Sequence, residues 1–468
     1  MISVDTLPDD VLLVIFDYYV NDDTRLLTER EEGWQSLVHV CRRWRSIIFG
    51  SPRHLNLQLV CQEGTPARDT LDVWPALPLI IRCYNVHRTG VDNIIAVLGR
   101  SVLVCRIELM SVQSSDLEIF LAAMQQPFPE LTHLSLCSYS TVAPVRVVPD
   151  SLLGGSAPRL QRLMLDHIPF PGLPKLLLSA THLVELRLYG IPHSGYFSPE
   201  AMVTALSALT SLSSLTLEFR SPRPCPDQAS RRPHPLTRSV LPILRYFRFR
   251  GIIEYLEDLV AHIDAPRLNE LSISFIKDIV SDTPRFMQFI SRTPTLRALE
   301  NAHITLRDCN ANLRFLSQAS GNGELYVEIL RQGLNWQLPF LEQVCISCLP
   351  HLSMLENLYT YEDPHFQPDW KDDIENGLWV ELLHPFTAVK NFYLSEEIAL
   401  RIGPALQELV DGRTTDVLPA LQNIFLEGLE SLGSVQEGIG KFVAARQVAS
   451  RPIAVSCWAN SDRDKVYF

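Results

Sequence analysis

Leucines recur along most of the chain as L-x-x-L-x-L, often behind a proline. PELTHLSL carries Leu131, Leu134 and Leu136, and PRLQRLML carries Leu160, Leu163 and Leu165. The unit returns at Leu183, Leu186 and Leu188 and at Leu212, Leu215 and Leu217; further copies start at Leu244, Leu268, Leu296, Leu341 and Leu421. Leading leucines from Leu131 to Leu296 lie 23 to 32 residues apart, a period that marks stacked repeats. The last two leucines of a unit share one side of a strand and the first anchors the incoming turn, so stacked strands pool one core and no unit is stable alone. Between the strands, AMVTALSAL (201–209) and YLEDLVAHI (255–263) have helical apolar spacing.

A strand-and-helix unit of this length predicts an α/β fold, an irregular leucine-rich-repeat solenoid bent into a horseshoe. At the ninth position, where such units often carry Asn or Cys, the chain has Tyr139, Ile168, Ile191, Ile252, Ile276, Ile304, Leu349 and Leu429. No asparagine ladder along the turns is therefore expected, and an apolar row takes its place. A doubly wound α/β domain would also alternate strands with helices, but it predicts no recurring unit. Upstream, strands are expected at 49–60, through Leu55, Leu57 and Leu59, at LPLIIRCY (77–84) and at SVLVCRIELM (101–110), with VDNIIAVLG helical. From Leu394 the expected order is two helices, the repeat at Leu421, another helix and an apolar strand. Two loops interrupt the repeats, a Pro- and Arg-rich one at 221–242 and an acidic, aromatic one at 359–377, before the helix LWVELLHPF.

The first 50 residues have a different period. In LPDDVLLVIFDYY, Leu12, Ile15, Phe16 and Tyr19 fall on one helical stripe behind Pro8, Asp9 and Asp10. In WQSLVHVCRRWRSII, a second helix places Trp34, Leu37, Val40, Cys41, Trp44, Ile47 and Ile48 together. So small a module buries little surface alone, and its surplus of apolar residues suits a partner.

LPDDVLLVIF followed by LVHVCRRWRSI resembles an F-box, with Asp10 where that family often has Glu and with a polar insert from Asn21 to Gly33. The stretch TAVKNFYLS and the C-terminal region resemble the large F-box and leucine-rich-repeat family of mushroom-forming fungi. The resemblance implies a non-catalytic substrate receptor of a cullin-RING ubiquitin ligase. Leu7, Pro8, Leu12, Ile15, Phe16, Leu37, Val40, Cys41 and Trp44 would dock a Skp-type adaptor, and through it a cullin, while the solenoid holds a protein target. Two ordinary core helices would produce the same stripes, and a ligase-independent repeat scaffold is the alternative function. The expected organisation is an F-box-like module at 1–50, linking strands and first irregular repeats at 51–110, a solenoid at 111–440 and a C-terminal cap at 441–468.

Composition narrows the partners. A net charge of -12 argues against a nucleic-acid or anionic-membrane binder, which needs a basic field. Ten scattered cysteines read as reduced thiols, and with no secretory or membrane-spanning run the expected location is cytoplasmic or nuclear. Catalytic spacings are missing: Cys345-x-x-Cys348 has no second pair, Gly438-x-Gly440-Lys441 lacks the rest of a P-loop, and neither G-x-S-x-G nor H-E-x-x-H occurs. No cofactor, metal or enzymatic activity is expected. The residues flanking the strand leucines, Arg162, Arg187, Tyr189, Tyr246, Arg248 and Arg250, form a cationic and aromatic strip suited to an acidic or phosphorylated target segment. A solvated strand face neutralised by Glu185 and Glu218 is the competing reading.

Overall fold

The computed structural model describes residues 7–20, 34–84, 88–138, 147–220, 238–276, 283–297, 299–307, 310–317, 323–330, 337–348, 352–362, 376–409, 416–427 and 433–458. The expected insert at 21–33, most of the two interrupting loops, and the ninth-position residues Tyr139, Leu349 and Leu429 lie outside them. The chain divides into two compact units, Met1–Phe197 and Ser198–Phe468.

The first unit opens with α1 (Asp9–Val20), a single helical turn at 34–38 and α2 (Arg42–Gly50). The expected second helix is thus broken in two. Cys41 is extended at φ -157°, and its Sγ accepts from the Trp44 backbone N–H at 3.5 Å, capping α2. Arg45 Nε closes the preceding turn by donating to the Val38 carbonyl at 3.0 Å. The strand expected at 49–60 shrinks to β1 (Leu59–Cys61), because α2 runs to Gly50 and Asn56 turns the chain at φ +47°. Leu55 and Leu57 are still buried, from turns rather than from a strand.

Six strands then stack in sequence order: β1, β2 (Leu79–Tyr84), β3 (Val104–Val112), β4 (His133–Ser138), β5 (Arg162–Asp166) and β6 (Glu185–Ile191). Each strand pairs with the next in parallel. The connections carry α3 (Ala67–Val73), α4 (Arg88–Leu98), α5 (Ser114–Ala123) and α6 (Leu173–Leu177). Leu131, Leu134, Leu136, Leu160, Leu163, Leu165, Leu183, Leu186 and Leu188 are all buried, as the repeat pattern requires, and so are the ninth-position residues Ile168 and Ile191.

The second unit contains α7 (Pro199–Ser207), β7 (Ser214–Phe219), the short β8 (Ser239–Val240), β9 (Tyr246–Gly251), α8 (Ile253–Ala261), the short β10 (Ile263–Asp264) and β11 (Glu270–Phe275). β8 pairs with β10, so the end of the first interrupting loop is a strand. After α9 (Pro284–Arg292) and α10 (Pro294–Arg297) come β12 (Asn301–Leu306), β13 (Asn310–Leu316) and β14 (Glu324–Leu330). β13 is antiparallel to both neighbours, and β14, not β12, pairs with β11. This meander has no counterpart in the repeat pattern, because Leu296 sits in α10 and not at a strand entrance.

The unit expected at Leu341 is not a strand either. PFLEQVCI lies in α11 (Gln337–Cys348), with Leu341, Val344 and Cys345 buried at helical spacing. The corresponding strand is β15 (Asn357–Glu362), which pairs with β12 and occupies the start of the second expected loop. α12 (Asn376–Leu383), β16 (Asn391–Leu394), α13 (Glu396–Glu408), β17 (Asn423–Glu427), α14 (Gly433–Val448) and β18 (Ala454–Trp458) complete the unit. The two helices expected after Leu394 are one: Pro404 lies inside α13, where it removes one backbone bond without ending the helix.

Candidate functional site

The N-terminal module sorts its own residues. Leu12, Phe16 and Leu37 are buried, Phe16 packs on Trp44 with ring centroids 4.8 Å apart, and Cys41 serves as the cap of α2. Trp34 is also buried and donates its Nε1–H to the Gln58 carbonyl at 2.9 Å. Arg43 ties the entrance of α1 to α2 through the Leu7 carbonyl and Asp9 Oδ1 at 2.6 Å. These residues hold the helices together. The exposed apolar residues are Val11, Val14, Ile15 and Tyr18, at i, i+3, i+4 and i+7 of α1, together with Val40. Of the expected docking set, Ile15, Val40 and Pro8 are exposed, and Leu7 and Trp44 are half-buried.

The polar face of the first unit has a cleft of about 120 Å³ whose lining includes Arg106, Glu108, His133, Ser135, Arg162, Met164, Glu185 and Arg187. Strand register explains the grouping. Arg106, His133, Arg162 and Glu185 form one row across β3 to β6, and Glu108, Ser135, Met164 and Arg187 form the next, preceded by Arg82 on β2. Arg82 Nε reaches Glu108 Oε2 at 2.8 Å, and Arg106 Nε reaches Oε1 of the same carboxylate at 2.6 Å. Arg187 contacts Glu185 directly, and Arg162 Nε lies 3.6 Å from it. Each carboxylate is therefore bracketed by two guanidiniums.

Burial works against the charge of Glu108, but the bonds and charges of Arg82 and Arg106 outweigh it and hold the carboxyl below its ordinary range. His133 titrates below its ordinary range through burial first and then the Arg106 and Arg162 charges, partly offset by Glu108 and Glu185. Thr132 spends its hydroxyl proton on the Cys105 carbonyl at 2.9 Å. At the 2.8 Å contact between Thr132 Oγ1 and His133 Nδ1, the imidazole must then be the donor, leaving the Nε2 lone pair open.

Arg162 and Arg187 of the expected strip thus meet in one cleft, and Tyr189 follows on β6. Tyr246, Arg248 and Arg250 belong to β9 of the second unit, where Arg248 Nε lies 2.8 Å from Glu218 Oε1. Glu185 and Glu218 are the partners that the neutralised reading named. Arg106 and His133 were not among the expected site residues. Their signal was available, since each immediately precedes a buried apolar strand residue, Ile107 and Leu134.

The second unit carries a further array. Asn301, Asn357, Asn391 and Asn423 occupy equivalent starts of β12, β15, β16 and β17. From Asn357 onward, each Nδ2 donates to Oδ1 of the preceding asparagine in the row at 2.7 Å. An asparagine ladder is present after all, side chain to side chain at the strand entrances and not at the ninth position. Two residues on, His303, Tyr359, Tyr393 and Phe425 stack with centroids 4.4, 4.2 and 4.4 Å apart. Burial pushes the His303 imidazole down to about 4, with the nearby Arg314 charge adding to it. Trp458 meets Tyr359 and Tyr393 edge to face and donates to the Leu394 carbonyl at 3.3 Å.

Among the described residues, no group of three His, Cys, Asp or Glu side chains is placed to hold a metal ion, and no helix is long and apolar enough to cross a membrane. No protein-family model matches the sequence, and no curated protein matches it. Among solved structures, the chain is similar to the leucine-rich repeat-containing protein LegL7 from Legionella pneumophila at 13% identity, covering 82% of this chain and 96% of that one, with a TM-score of 0.28. So slight a likeness bears on neither fold detail nor function.

Proposed function

We propose that the chain is a non-catalytic, repeat-built binding protein. Its N-terminal module docks on a Skp-type adaptor of a cullin-RING ubiquitin ligase, and its polar strand faces take a protein target. The supporting observation is the exposed stripe of Val11, Val14, Ile15 and Tyr18 on α1, with Tyr18 77% and Val14 66% accessible. The other side of the same helix already packs through Leu12, Phe16 and Val20. A short helix with one apolar face in the core and a second in solvent suits a helix-groove partner. The protein's contribution would be proximity, holding a target where another subunit reacts.

A pull-down with purified Skp-type adaptor compares the wild type with Val14→Lys plus Tyr18→Lys, both exposed and outside the core. Capture by the wild type and its loss in the variant are the expected results. A wild type that captures no adaptor refutes the ligase reading and leaves a repeat scaffold that works without the ligase.

A further inference from the structure

The polar face of the first unit carries more positive charge than its ion pairs consume. Arg82 and Arg106 share Glu108, and Arg162 and Arg187 share Glu185. Four guanidiniums against two carboxylates leave two positive charges, on a chain whose net charge is -12. Three of the four guanidiniums line one cleft with His133 and Ser135. Arg162 and Arg187 keep 62% and 45% of their side chains accessible, so both can reach a ligand there. Arg82, only 7% accessible, is committed to holding Glu108.

We propose that the cleft formed by Arg106, Arg162 and Arg187 binds a phosphoryl group, a tetrahedral dianion carried either by a protein side chain or by a small phosphomonoester. A phosphomonoester near neutral pH carries a charge close to the surplus, and its oxygens match the paired N–H groups of guanidinium. A lone carboxylate would match half of that charge. The reading deepens the proposed target face, but it does not involve α1, so its failure leaves adaptor docking untouched.

Occupancy also reaches His133. Arg106 and Arg162 repel a proton there, while Glu108 and Glu185 attract one. A dianion in the cleft would tip that balance towards protonation, turning the Nε2 acceptor into a donor. Binding then takes up a proton, and affinity strengthens as pH falls from neutral. Inorganic sulfate is the suitable probe for this effect, because it does not itself titrate in that range.

The test titrates the full chain, at fixed ionic strength, with inorganic sulfate, with phenyl phosphate, and with a random-sequence phosphoserine peptide library beside its unphosphorylated twin. Binding should weaken about tenfold in Arg162→Ala and in Arg187→Ala, the loss of a charge-assisted contact. It should be unchanged in Arg245→Ala, an exposed arginine outside the cleft. Circular dichroism identical to wild type certifies the fold of each variant. His133→Gln should flatten the pH dependence of sulfate binding. Library binding far above phenyl phosphate identifies a phosphorylated protein as the source, and equal binding identifies a small phosphomonoester. No binding to any probe, or equal losses in all three arginine variants, overturns the proposal.

Discussion

The asparagine ladder of the second unit allows a graded test. Asn391 makes two side-chain bonds, donating to Asn357 and accepting from Asn423, each at 2.7 Å. Asn423 has one bond in the ladder. All three residues are half-buried, so water replaces part of what is lost. With a net worth of about 1 kcal/mol per neutral hydrogen bond, Asn391→Ala should cost about 2 kcal/mol and Asn423→Ala about half as much. The Asn357→Ala and Asn391→Ala pair should show a coupling of about 1 kcal/mol in a double-mutant cycle. Stacked repeats need not unfold in one step, so the readout is hydrogen exchange of peptides covering β15 to β17, which reports local opening. Equal costs for Asn391→Ala and Asn423→Ala, or strictly additive singles, would show that the ladder is a by-product of strand register and no source of stability.

Three further outcomes follow from the same geometry. His303 titrates at about 4 when folded against an ordinary 6.5. Because the unfolded chain binds that proton more readily, up to about 3 kcal/mol of stability present above pH 6.5 is lost as pH falls towards 4. His303→Phe, which can keep the stack on Tyr359, should remove that part of the acid sensitivity in urea titrations at several pH values. Gly190 sits at φ +55°, and a Cβ there would come within 2.7 Å of His167 Nε2. His167 is itself held by Asp166 at 2.6 Å, so Gly190→Ala should destabilise the first unit by about 1–3 kcal/mol, read as a lower Tm. Glu185→Gln removes the shared partner of Arg162 and Arg187 and should tighten sulfate binding severalfold by calorimetry; weaker binding would mean that Glu185 holds the arginines in place.

The buried half of the fold was legible wherever leucine spacing was regular. Leu134 and Leu136, or Leu215 and Leu217, can reach a common core only from one side of a strand, and they do. Legibility failed where one apolar spacing served two structures. Leu341 and Val344 fit both L-x-x-L-x-L, which Ile346 would complete, and a helical stripe completed by Cys345; the helix prevails, burying Cys345 and leaving Ile346 exposed. The meander was hidden because β13 reverses direction, which side-chain alternation does not record. The asparagine and aromatic columns were within reach. Leu299-Glu-Asn301-Ala-His303, Leu355-Glu-Asn357-Leu-Tyr359, Val389-Lys-Asn391-Phe-Tyr393 and Leu421-Gln-Asn423-Ile-Phe425 repeat one signature. It was missed because the expected asparagine belonged at a turn. At the first-unit cleft, Arg162 and Arg187 could be read as strand-face residues, but the sharing of each carboxylate by two arginines depends on register between strands, which a single sequence leaves open.

The meander has a consequence for how the second unit comes together. Elsewhere in the ladder, bonded strands are separated by one connection, as between Asn357 and Asn391, 34 residues apart, and Asn391 and Asn423, 32 apart. Across the meander, Ser274 meets Glu328 at a separation of 54, and Asn301 meets Asn357 at 56. The extra loop-closure entropy is small, under about 1 kcal/mol for each junction. The order of events changes more. Strands β12 to β14 can zip as a local antiparallel meander before either flank exists, offering one free edge to β11 and the opposite edge to β15. Growth by neighbour addition can then run outward from the middle in both directions, so this interruption of the repeats can serve as their nucleus.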